Sequence, residues 1–213
     1  MGRKLFTCHG GHIALPDDAL VLVSRQDGGN LIVIPPREVW ERSELTSVEL
    51  MLWSFLVAAT GKAMLDRLPQ LEGGCINYWD AGNWALNDGA EPEGPKTARE
   101  HRKVHLHLLG RSRTAVDPSW RWGEAPKFPD YVDRYCWASE FERLSAEECL
   151  NIVAQAEALL KASYGMDASH IAPWFKCHAC GYPSPIEHGR EQGVCAECQP
   201  NFPADSPLTG LSR

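Results

Sequence analysis

The chain has 213 residues, 44% hydrophobic and 23% charged, which is ordinary for a soluble globular protein and enough for one good core plus a small appendage. A net charge of −7 and an isoelectric point near 5.6 exclude any general attraction to nucleic acid or to an anionic membrane surface, so phosphate binding has to be local. Met1 to Thr7 lacks the apolar run of a signal peptide, and no apolar stretch of the roughly 18 residues of a membrane span is read elsewhere. A cytoplasmic location is therefore expected, in which eight cysteines are better read as metal ligands and core residues than as a disulfide framework.

Residues 1 to 14 are expected to form a loosely packed terminus; Cys8, His9 and His12 are metal-compatible residue types whose spacing fits no ligand pattern. Ala19 to Val23 and Leu31 to Ile34 are apolar runs separated by Asp27-Gly28-Gly29-Asn30, which predicts a hairpin. Thr46 followed by Glu49 is a capping-box signal, and Val48, Leu52, Phe55, Leu56 and Ala59 recur at helical spacing. This predicts a helix over about 46–67 with Met51 and Trp53 in its core stripe, closed by Pro69. Cys75 to Asp80 and Asn83 to Asn87 read as strand pieces around Ala81-Gly82. Asn87 then stands beside Gly89, where its amide either binds a phosphate oxygen or stabilises the turn through its own backbone.

From Lys103 to Leu108 polar and apolar residues alternate, sending Lys103, His105 and His107 to one strand face and Val104, Leu106 and Leu108 to the other. Two adjacent imidazoles near a cation can attack and hold a phosphate, can share a metal ion, or can simply occupy the polar face of a half-buried strand. In the loop 118–129, Trp120 and Trp122 flank Arg121 and either stack on a base or plug the loop onto the body. Ser145 with Glu148 opens a second capping box, and Leu150, Val153, Leu159 and Leu160 mark a helix that stops by Gly165. Cys136 and Cys149 are read as buried apolar residues.

Near the end, Cys177-x-x-Cys180 and Cys195-x-x-Cys198 stand 14 residues apart, a spacing that presents four sulfurs to one tetrahedral zinc ion. Four thiolates close the coordination sphere, so this zinc is structural, and so short a segment depends on its metal to fold. Lys176 and Arg190 stand against Glu187, Glu191 and Glu197, which disfavours a grip on DNA. Disorder is expected from Phe202 onward.

The run His105-Leu106-His107-Leu108-Leu109-Gly110-Arg111 resembles the signature of the histidine-triad nucleotide hydrolases and transferases, with Lys103 where the family has its first histidine. Asn30-Leu31-Ile32-Val33-Ile34-Pro35-Pro36-Arg37-Glu38-Val39, Leu45-Thr46 and Asn87-Asp88-Gly89 are similar to three further family elements in the family's order, so the likeness covers roughly residues 15–112. The resemblance implies an α+β domain over 1–166, an antiparallel sheet with two main helices; the small zinc ribbon read from the cysteine spacing follows over 170–201, and the tail over 202–213. It implies that His105 attacks the α-phosphate of a nucleotide or dinucleotide to form a covalent nucleotidyl-histidine, with no metal in that step. His107 and Asn87 would hold the phosphoryl oxygens while Lys103 or Arg111 offsets charge. Ser24 falls where the family has an acidic ribose-binding residue, and Glu100, with Thr97 as substitute, falls where it has a polar residue serving the leaving group. A like-charge effect of Lys103 is expected to lower the pKa of His105. Family members pair into dimers, and a homodimer is expected, with no membrane partner. The rival reading is a non-catalytic nucleotide-binding or regulatory module whose ribbon binds a protein or nucleic-acid partner; relatives in which a triad domain and a zinc module repair adenylated DNA ends suggest a third, against which the acidic balance counts.

Overall fold

Seven strands and two long helices carry the architecture in a computed structural model that describes residues 2–186 and 193–201. Strands β1 (Arg3–Cys8), β2 (Gly11–Leu15), β3 (Asn30–Ile34), β4 (Cys75–Ala81) and β5 (His105–Arg111) form one antiparallel sheet in the order β1-β2-β3-β5-β4. The long helices are α1 (Ser47–Arg67) and α4 (Ala146–Tyr164); between them lie two short ones, α2 (Ala98–His101) and α3 (Arg134–Ser139). A second sheet, β6 (Trp174–Lys176) with β7 (Pro183–Pro185), precedes the last two cysteines. The fold is thus mixed α and β with an antiparallel sheet, and the expected disordered tail lies outside the described residues.

Both long helices begin as their sequences dictate. Thr46 and Ser145 each accept from the backbone N–H of the glutamate three residues on, whose carboxylate returns the bond, and α4 ends on Gly165 in the left-handed conformation. The helices pack together on the sheet face that carries Leu31, Val33, Leu106 and Leu108, burying Trp53, Leu56, Met64, Ile152 and Leu160. Met51, expected in that stripe, is 48% exposed. Helix α1 also meets the length and mean hydropathy, 1.4, of a membrane span, contrary to the reading that no such stretch exists; here it serves as a core helix.

Four expectations are corrected. The terminus expected to be loose is a hairpin whose Leu5, Phe6, Ile13 and Leu15 are buried. A register shift between Lys4 and Phe6 places consecutive Leu5 and Phe6 both inside, which destroys the alternation that would have marked a strand. Ala19 to Val23 is not a strand: Asp18–Leu20 forms a 3-10 turn, and β3 pairs instead with β2 and β5. The Asn30 side chain is the reason, because its Oδ1 accepts from Leu22 N at 3.1 Å and its Nδ2 donates to Leu20 O at 3.4 Å. Asn83–Leu86 is a 3-10 turn rather than a strand piece, following Gly82 at a φ of 130°. Cys136 is exposed, whereas Cys149 is buried and its thiol is pushed up by desolvation.

The opposite sheet face is covered by loops. Trp120 is 2% exposed and donates from Nε1 to Gly110 O at 2.8 Å, so it plugs the loop 118–129 onto the body, while Trp122 is left exposed. Gly28 and Gly110 approach so closely that a Cβ on Gly110 would lie 2.3 Å from Gly28 O. We expect Gly110→Ala to cost about 3 kcal/mol through forced backbone separation, seen as a lower denaturant midpoint; an unchanged midpoint would refute the contact.

Candidate functional site

Strand β5 brings His105 and His107 to the loop-covered face, their ring centroids 5.0 Å apart. Because that face is covered as well, the imidazoles are not on a solvated surface: His105 is 9% exposed and His107 1%. Across the sheet His107 opposes Ile32 of β3 and Trp79 of β4, whose ring centroid lies 5.6 Å away. Its Nδ1 is buried without a hydrogen-bond partner among the described residues, an arrangement that costs stability unless a ligand supplies one. Burial, with a smaller contribution from His105, pushes the His107 pKa down to about 3.

His105 Nδ1 lies 2.7 Å from the carbonyl oxygen of Lys103. A carbonyl only accepts, so Nδ1 carries the proton and the lone pair of the neutral ring is left on Nε2. Desolvation lowers the pKa of His105, opposed by that hydrogen bond and by Asp80 and assisted by Arg102. The ammonium of Lys103 is not one of the leading causes, and it pairs with Glu38 at 2.7 Å. Lys103→Ala is accordingly expected to leave the His105 titration in place, as followed by NMR; a rise of about one unit would restore the like-charge account.

Both imidazoles line a cavity of about 340 Å³, at the small end of the range for small-molecule sites. Leu20, Leu22, Trp79 and Trp84 give it apolar walls, and Gly82, Asn83 and Ala85 complete it. Two of the departures from the expected strands make this space: the 3-10 turn at Asp18–Leu20 delivers one wall and the turn at Asn83–Leu86 the other. Leu20, Leu22, Asn83 and Trp84 were not singled out from sequence; the Gly82-Asn83 pair was the available signal, as turn chemistry that ends a strand.

The other sequence-designated residues lie elsewhere. Asn87 accepts from Gly89 N through Oδ1 at 2.9 Å, the turn-stabilising arrangement, and does not line the cavity. Ser24 is buried and its Oγ accepts from Glu142 N at 3.4 Å. Arg111 donates to the carbonyls of Arg121 and Glu124 and stacks over Trp120 at 4.9 Å. Thr97 donates to Glu100 at 2.6 Å, outside the cavity.

The sulfurs of Cys177, Cys180, Cys195 and Cys198 all lie within 4.8 Å of one another, and Cys180 and Cys195 are 3.7 Å apart. Thiolates at about 2.3 Å from a tetrahedral ion are about 3.8 Å from each other, so this donor set fits a metal ion such as zinc. Burial would raise the Cys177 pKa, but the backbone N–H groups of Cys195, Cys180 and Ala179 bring it down to about 6, whereas Cys195 and Cys198 beside it are pushed up by desolvation.

Fold and sites together define an α/β protein with a buried histidine pair beside an apolar cavity and a four-cysteine cluster that could hold a metal. No known family model matches the chain, and no curated protein matches it.

Proposed function

We propose that this cavity binds a nucleotide and that the chain is a histidine-triad-like nucleotide hydrolase or nucleotidyl transferase, with His105 as the nucleophile. The observation that carries the reading is the His105 Nδ1 bond to Lys103 O. It directs the lone pair to Nε2 and is made by a backbone carbonyl, so a lysine at the first triad position supplies it as well as a histidine would. In the reaction Nε2 forms a bond to the α-phosphorus, the bond to the leaving group breaks, and water or another acceptor then displaces the histidine. His107, neutral and with Nδ1 otherwise unpartnered, donates to a phosphoryl oxygen; the apolar walls take the base and desolvate the reacting centre. We also assign zinc, in a structural role, to the four cysteines.

A second reading, a nucleotide-binding module without catalysis, is favoured by one feature: among the described residues no lysine or arginine lines the cavity. Lys103 and Arg111 are engaged with Glu38 and the 118–129 loop. Intact-protein mass after brief mixing with adenosine phosphoramidate, dinucleoside polyphosphates and nucleotide sugars separates them. A nucleotidyl-sized adduct or released nucleotide supports catalysis. Saturable binding without either supports the module, and neither binding nor adduct across the panel ends both.

A further inference from the structure

The four sulfurs sit where the two ends of the described chain meet. Arg3, the first residue of β1, donates from Nη1 to Cys180 Sγ at 2.8 Å, and its guanidinium lies over the Tyr182 ring at 4.8 Å. Tyr182 is held in turn by its hydroxyl, which donates to Leu144 O at 3.0 Å. Farther along, Thr7 O of β1 accepts from Ala172 N at 3.0 Å and, one residue past the strand, His9 N donates to His170 O at 2.8 Å. The outer edge of the sheet is therefore covered by the segment that leads into the metal ligands, and the same strand places a cation on one of the sulfurs.

Four thiolates around a divalent ion carry a net charge of about −2, which a partly buried site has to balance; cationic donors to a ligating sulfur do so and also fix its orientation. We infer that Arg3 is a positioning residue of the metal centre and that metal loading is thereby coupled to closure of β1 against the C-terminal hairpin. The planar guanidinium suits this role, since one N–H reaches sulfur while the flat face stacks on Tyr182. This inference rests on the metal reading of the cysteines and is independent of the nucleotide reading.

The test is a cobalt(II) titration of metal-free full-length protein, comparing wild type, Arg3→Ala and Arg3→Lys, followed by zinc competition against a chelator. In Arg3→Ala the zinc affinity is expected to fall by about tenfold or more. Its thiolate-to-cobalt charge-transfer band is expected to move to lower energy, because a sulfur lone pair without the N–H donor lies higher. Arg3→Lys keeps the charge and a donor and should recover part of both effects. Unchanged affinity and band in Arg3→Ala, or failure of the wild type to give a tetrathiolate cobalt spectrum, would overturn the proposal. If Arg3→Ala does not fold, hydrogen exchange on the wild type decides. Chelation should speed exchange of the Arg3–Cys8 amides together with those of 170–186 while β5 stays protected, and β1 amides indifferent to chelation would refute the coupling.

Discussion

Replacing His105 with asparagine is expected to abolish the nucleotidyl adduct and to lower turnover at least about a thousandfold, the scale on which loss of a covalent nucleophile is felt. Asparagine is the informative choice because its amide N–H can still reach the Lys103 carbonyl that His105 Nδ1 now engages, so the strand end keeps its hydrogen bond. What disappears is the Nε2 lone pair. The pH profile gives a second readout. A histidine attacks only when neutral, and burial holds His105 below its ordinary value of 6.5, so the midpoint of the loss of labelling on acidification should fall below that value. An adduct that survives in His105→Asn would place the nucleophile elsewhere, and a decline that begins well above neutrality would contradict the buried, neutral imidazole.

Metal removal should produce the other large effect, and it should be local. The segment carrying the four cysteines contributes two short strands and few buried apolar side chains, so its order depends on the ion, whose binding in such small sites supplies on the order of 10 kcal/mol. A strong chelator is expected to remove protection from residues 177–186 and 193–201, to speed exchange of the β1 strand and of 170–176 that pack on them, and to lower the thermal midpoint of the whole chain by several degrees. The core between α1, α4 and the sheet has its own apolar packing and should persist. Labelling at His105 should also survive, since neither imidazole belongs to the sulfur cluster. Chelation that abolished labelling while the sheet stayed protected would instead make His105 and His107 metal ligands, and a thermal midpoint indifferent to chelator would remove the structural role of the cysteines.

The local features of this protein are written in its sequence. Both capping boxes, the alternation through β5 and the two Cys-x-x-Cys turns involve groups a few residues apart, whose geometry any compact fold would respect. From them the two long helices, strand β5 with both histidines on one face, and the four-sulfur cluster were legible, while the antiparallel sheet was an expectation from the family resemblance. What only the tertiary structure decided was which partner each residue met. The Asn30 amide, by taking the backbone of Leu20 and Leu22, turned an apolar β-branched run into a cavity wall. The shifted register in β1 hid a buried strand behind a broken period. Glu38 took the charge of Lys103 and the 118–129 loop took Arg111, leaving to Lys103 the one contribution that no side chain determines, its carbonyl. Arg3 reached Cys180 across 177 positions of chain. Spacing and propensity act within a few residues, whereas desolvation, charge pairing and strand order depend on what packs from far along the chain, and those long-range contacts set the pKa shifts and the shape of the site.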